Sequence, residues 1–177
     1  PGTNCEYDSA FAFEKAGAKA TIQVLRNLTL KDIDESLKEL EKTIRESQIL
    51  MIPGGFSLGD EPDGSGKFIA AVLSSPRISD AIAQLLEKND GLILGVCNGF
   101  QALIKTGLLP YGEIKTLDSD APTLTHNAIG RHMAQFIKTK VVATNSPWTS
   151  LLTEGDIHQI PVSHGEGRLI GSEAVIK

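Results

Sequence analysis

Residues 91–100 read GLILGVCNGF. The first six carry no charge and no polar alternation, so both faces of the segment are apolar. A short strand of that kind fits the middle of a parallel sheet, covered on both sides. The chain then runs through Gly95-Val96-Cys97-Asn98-Gly99 into residues 98–106, which read as a helix closed by Gly107. A strand that turns at once into a helix through small-x-nucleophile-x-small is a nucleophile elbow, here with cysteine in place of serine. The turn is tight, and larger side chains at Gly95 or Gly99 would collide with their neighbours. It puts the Cys97 sulfur at the carboxyl edge of the sheet, where open α/β folds bind ligands. It also puts it beside the first free N–H groups of a helix, whose partial positive charge favours a thiolate. Most free cysteines are small buried hydrophobes; the flanking glycines favour the nucleophile.

The same grammar extends outward. Upstream, residues 48–52 (QILMI) form another two-sided apolar run, stopped by Pro53-Gly54-Gly55. Residues 32–47 place Ile33, Leu37, Leu40 and Ile44 on one helical stripe, with charges on the other face. Residues 66–75 and 78–88 read as two more helices, the second with Ile78, Ile82, Leu85 and Leu86 in line. Residues 7–16 predict a helix ending near Gly17, and residues 19–25, with Ile22 and Val24, predict a strand. Alternating strands and helices predict an α/β fold, with a parallel sheet between helical layers. After Leu124 the pattern becomes β-rich, at residues 133–144 and 159–163 (QIPVS), and predicts a sheet extension or an antiparallel flap. No repeat, low-complexity tract or long linker divides the chain, so residues 1–177 read as one domain.

Bulk properties narrow the function classes. The 177 residues suffice for a real core. Hydrophobic residues make up 41% and charged residues 22%, and the net charge is -5. A mildly acidic chain is a poor partner for nucleic acid, and no apolar run approaches the ~20 residues of a membrane helix. Two cysteines, Cys5 and Cys97, make no disulfide framework and suit a reducing, cytoplasmic setting. The first residue is proline, which predicts processing or a longer natural chain.

Two further clusters carry chemistry. His164-Gly165-Glu166 follows the QIPVS strand, and in an extended chain residues i and i+2 share a face. A carboxylate beside an imidazole can accept its second N–H and stabilise the imidazolium. Of the four histidines, His126, His132, His158 and His164, only His164 has an acid placed this way, so His126 and His132 read as surface residues. Pro53-Gly54-Gly55-Phe56 ends the other apolar strand, where glycine lets backbone approach a ligand. The N–H groups of Gly55 or Phe56, with that of Asn98, could form an oxyanion hole, each good donor being worth roughly 3–4 kcal/mol. GSGK at residues 64–67 lacks the full phosphate-loop spacing, and Phe68 stands where Ser or Thr is required.

Together these residues resemble the class I (triad) glutamine amidotransferases. PGTNCEYDSAFAFEKAGA at the start, PGGFSLGDEPDGSGKF, GVCNGFQALIKTGLLP, NAIGRH and PVSHGEGR are similar to the amidotransferase domains of phosphoribosylformylglycinamidine synthases, of the single-chain bacterial type. The resemblance implies a flavodoxin-like fold: three layers, a mostly parallel central sheet with helices on both faces, and a β-rich C-terminal part. It implies Cys97 as nucleophile, His164 as acid and base, and Glu166 as the third member of the triad. Gly54, Gln101, Asn127 and Arg131 match positions around the glutamine pocket, as does Phe56. Cys5 matches the family's GTNCE start and reads as structural. The resemblance implies L-glutamine as substrate, no metal or cofactor in this domain, and synthase domains as partners, which use ATP and magnesium. The family also has a strand before PGTNCE and several tens of residues after Lys177, so the chain is expected to be a piece of a longer one. DJ-1-like stress proteins and PfpI-like hydrolases share the elbow cysteine but lack the His-x-Glu pair. An inert binding module of the same fold is the other alternative.

Overall fold

The computed structural model describes residues 3–55 and 66–173. Strand β1 (Ile49–Ile52) and strand β2 (Leu92–Gly95) lie parallel, with Ile49 opposite Leu92 and Ile52 opposite Gly95. These are the two apolar runs, and their parallel pairing makes the class α/β. The chain forms two compact units: one holds the residues up to Leu124 and those from Leu169 on, the other is Thr125–Arg168.

In the first unit, helix α1 (Glu6–Lys15) starts with Glu6 and Asp8 in its first turn. It closes just before Gly17, whose φ of +92° lets the chain turn away. Helix α2 (Leu30–Glu46) begins two residues earlier than expected because of a capping box. The Thr29 hydroxyl accepts from the Asp32 N–H at 3.1 Å, and the Asp32 carboxylate accepts from the Thr29 N–H at 3.0 Å. Its buried stripe is Ser36, Leu40 and Ile44.

Helices α3 (Lys67–Leu73) and α4 (Pro76–Glu87) connect the parallel strands. Pro76 sits in the first turn of α4, where a missing N–H costs nothing. Ile78, Ala81, Ile82 and Leu85 line its buried face. Helix α5 (Asn98–Thr106) follows β2 and ends at Gly107, whose φ is +85°. Leu40, Ile44, Ile52, Leu73, the buried face of α4, Ala102, Leu103 and Leu108 form one apolar cluster.

Charges tie α2 to α4 at the surface. Arg45 lies 2.6 Å from Asp80 and 3.0 Å from Glu41, and Arg77 lies 3.2 Å from Glu41. The hydrogen bond from Arg45 holds the Asp80 carboxyl below the usual carboxylate range. Partly exposed pairs like these fix register more than they stabilise.

The expected strand at residues 19–25 does not form. Val24 is 66% exposed and Ile22 39%. Alternation gives a segment two faces, but a strand also needs a neighbour that offers N–H and C=O groups.

Strands β3 (Thr123–Thr125) and β6 (Arg168–Ile170) pair with each other, and the boundaries between the units fall within them. Their three residues each are too short to leave a period in the sequence. In the second unit, β4 (Met133–Lys140) and β5 (Ile157–His164) run antiparallel, Met133 opposite His164 and Lys140 opposite Ile157. β4 stops at Lys140 rather than near 144, because beyond it Val141 bonds the loop residues Gly155 and Asp156. Among the described residues no helix is long and apolar enough to cross a membrane.

Leu85 is fully buried and Leu28 is 91% exposed. Leu85→Ala should therefore cost about 2–5 kcal/mol in urea unfolding, and Leu28→Ala should stay within about 0.5 kcal/mol of the parent.

Candidate active site

The elbow forms where β2 becomes α5. Cys97 sits between them as the N-cap, with φ 53° and ψ -110°. Besides Asp90 it is the only described non-glycine residue with positive φ. An L-residue pays steric strain in that region, and such strain gathers at functional sites. The Cys97 carbonyl accepts from the Gln101 N–H at 3.0 Å, which closes the first helical turn. The side chain itself is exposed, and the thiol is free.

The glycines have steric reasons. A Cβ at Gly95 would lie 2.7 Å from Leu103 and 2.8 Å from the Gly99 backbone. A Cβ at Gly99 would collide with the carbonyl of Ile52, the last residue of β1. The start of α5 thus lies against the end of β1, and only glycine fits at the contact. Asn98, the first residue of α5, is buried at 1% exposure, and Gln101 is half-buried one turn on.

The loop after β1 meets the elbow from the other side. A Cβ at Gly54 would stand 3.0 Å from the Cys97 Cβ and 3.8 Å from its Sγ. The structure therefore brings Gly54 and Cys97 together. Gly55 has φ +114° and pairs with Thr3, and a Cβ on it would collide with Asn4. Phe56 lies outside the described residues. The contact of Thr3 and Asn4 with Gly55 was not readable from sequence, since a one-residue bridge has no period. Cys5 is half-buried, with its sulfur 3.7 Å from the Asn4 side-chain oxygen.

In the second unit, His164 ends β5. Its Nδ1 lies 2.9 Å from Asn127 Oδ1. Asn127 is buried at 8% exposure. Its Nδ2 donates to the His164 carbonyl at 2.8 Å and to the Arg131 carbonyl at 3.0 Å. Arg131 enters this network through its backbone, and the residue is exposed. A Cβ at Gly167 would collide with the His164 ring, whereas Gly165 has open space around it.

Glu166 Oε1 lies 3.5 Å from His126 Nδ1. His126 was expected to lack an acidic partner, and the structure corrects that. The i, i+2 rule holds while the backbone is extended, but β5 ends at His164 and the chain bends at Gly165. His126 remains exposed, and His132 bonds the Ser163 hydroxyl at 2.9 Å. Among the described residues no group of three or more His, Cys, Asp or Glu is placed to hold a metal.

Residues 1–177 match the sequence profile of the CobB/CobQ-like glutamine amidotransferase domain. The phosphoribosylformylglycinamidine synthase subunit PurQ of Dehalococcoides mccartyi is 38% identical, over 99% of this chain and 62% of that protein. The subunit of the same name from Treponema denticola is also 38% identical, over 96% of this chain and 60% of its own. The solved structure of PurLQS from Thermotoga maritima superposes with a TM-score of 0.70 at 28% identity, over 98% of this chain and 66% of that one. The chain thus spans about three fifths of the length of the curated relatives it matches, 62% and 60% for these two.

Strain at Cys97 is measurable apart from chemistry. Cys97→Gly should be more stable than Cys97→Ala by about 1 kcal/mol, because only glycine relieves a positive φ. Denaturant unfolding of the two variants reads the difference, and the opposite order would mean that the elbow is relaxed.

Proposed function

The chain belongs to the CobB/CobQ-like glutamine amidotransferase domain family, and from that premise we propose that it hydrolyses L-glutamine through a thioester on Cys97 and delivers ammonia to a phosphoribosylformylglycinamidine synthase. The observation that carries the reading is the exposed, strained Cys97 at a strand-to-helix elbow, with Gly54 against its side chain.

The chemistry follows from the residue types. Cys97 sulfur attacks the side-chain amide carbon of glutamine, and the carbonyl oxygen takes up negative charge. The N–H of Asn98 and that of Gly55 or Phe56 serve as its donors. His164 takes the thiol proton as the sulfur attacks and gives it to the departing nitrogen, and ammonia leaves. Water then attacks the γ-glutamyl thioester with His164 as base, releasing glutamate and the thiol. Glu166 supports the imidazolium that forms between the two steps. Gly54, Gln101 and Arg131 are assigned to the glutamine pocket on the family pattern.

Several finer points belong to the same reading. The parallel β1–β2 pair would be part of a flavodoxin-like, three-layer fold with helices on both faces of a mostly parallel sheet. Residues 1–177 would act as one amidotransferase domain with a β-rich end. The domain would need no metal or cofactor. ATP and magnesium would serve the synthase, which turns formylglycinamide ribonucleotide into its amidine. The PurQ relatives and the PurLQS likeness support that partnership. Two free thiols fit a reducing cytoplasm.

A diazo-ketone mimic of glutamine should label Cys97 and spare Cys5, as read by peptide mass spectrometry. Acid quench in the presence of glutamine should trap a γ-glutamyl adduct on Cys97, and Cys97→Ala should reduce hydrolysis to background. Equal turnover by Cys97→Ala and the parent would refute the assignment.

A further inference from the structure

We propose that Asn127 is the positioning residue of His164, and that it holds the imidazole in the tautomer with a proton on Nδ1 and a bare Nε2. The tautomer follows from local hydrogen bonds; its use in catalysis rests on the glutaminase reading above.

The argument starts from what each atom can do. A side-chain amide has one end that only donates and one that only accepts. Nδ2 of Asn127 stands 2.8 Å from the His164 carbonyl and 3.0 Å from the Arg131 carbonyl. Both carbonyls only accept, so the NH₂ end must face them. Reversing the amide would set oxygen against two oxygens inside a site where Asn127 is 8% exposed. The oxygen end is therefore the one that faces His164 Nδ1, at 2.9 Å. An oxygen that only accepts requires a nitrogen that donates, so Nδ1 carries the proton. In the neutral ring Nε2 then holds the lone pair, which is what a general base needs.

The grip is double. Asn127 takes the ring of His164 through Oδ1 and its backbone carbonyl through Nδ2. The Asn127 N–H donates to the Gly165 carbonyl at 2.9 Å, and the Gly167 N–H reaches Oδ1 at 3.4 Å. Gly167 has no side chain, and the ring occupies the space that a Cβ there would take. The imidazole is thus fixed in rotation as well as in tautomer. Cysteine, histidine and asparagine is a known combination for thiol nucleophiles on unrelated folds. The family pattern puts Asn127 near the glutamine pocket; its own polar groups are directed at His164, Gly165, Gly167 and Arg131.

The test is nitrogen NMR of the imidazoles in the full ¹⁵N-labelled chain, at a pH where neutral rings dominate. Histidine-to-glutamine replacements at His126, His132 and His158 assign the His164 signals. The parent should show a protonated Nδ1 and an unprotonated Nε2, with a cross-peak between the Nδ1 proton and the Gly167 amide proton. Asn127→Ala should give a mixture of tautomers and reduce kcat for glutamine by about 10²-fold, with KM within about twofold. Glu166→Gln should leave the tautomer in place. A parent with the proton on Nε2 overturns the proposal, and this needs no variant to fold. So does a tautomer that survives Asn127→Ala and shifts in Glu166→Gln. If the tautomer is as stated and no γ-glutamyl adduct forms on Cys97, the glutaminase reading fails while the assignment of Asn127 stands.

Discussion

Where α5 leaves β2, its backbone runs so close to the end of β1 that no side chain fits between them. The contact is Gly99 against the Ile52 carbonyl, and it depends on the parallel register that puts Ile52 opposite Gly95. Both glycines of the elbow answer to this one approach. Gly95 gives room to Leu103 and to the Gly99 backbone, and Gly99 gives room to β1. With the helix start fixed there, Cys97 has no relaxed conformation available and takes φ 53°. The strain persists because the surroundings are over-determined. Ile78, Ala81, Ile82 and Leu85 are at most 1% exposed, and a core packed that closely does not yield to relieve one residue.

That constraint is also why the elbow could be read from sequence. A two-sided apolar strand, a cysteine flanked by glycines and a helix with a glycine stop are all local patterns. Each comes from the geometry of a few consecutive residues. The stripes on α2 and α4 were legible for the same reason, although the burial differs in detail. Ile33 was expected on the buried stripe of α2 and is 38% exposed, while Ser36 is buried at 1%. The Ser36 hydroxyl accepts from the Arg26 N–H at 3.0 Å, so a polar residue is buried where the chain before α2 lies against it. A hydrophobic pattern has no means of registering that bond.

What stayed hidden has a common cause. Residues 19–25 have the alternation of a strand, but pairing is a property of two segments, and the pattern describes one. The acidic neighbour of His126 was missed because Glu166 stands two residues past the end of β5, beyond a glycine that bends the chain, and the stretch between His126 and Glu166 carries no period. Asn127 is the sharpest case. In sequence it lies 37 residues from His164, with nothing periodic between them. Its part is played by side-chain bonds to backbone carbonyls, which leave no trace in composition or spacing. Likewise Thr3 and Asn4 reach Gly55 through a single bridge.

The two chemical groups are prepared by different physics. Cys97 is held by sterics, through close backbone contacts that exclude a Cβ. His164 is held by polar bonds, through an amide whose donors and acceptor are each matched to a partner. Steric constraints tolerate no enlargement, while hydrogen-bond networks tolerate no loss of a partner, since each broken bond leaves a buried polar group unmet. The elbow should therefore be sensitive to added atoms and the histidine to removed ones. That asymmetry follows from geometry within each unit alone, and it separates damage at Cys97 from damage at His164 at the level of single side chains.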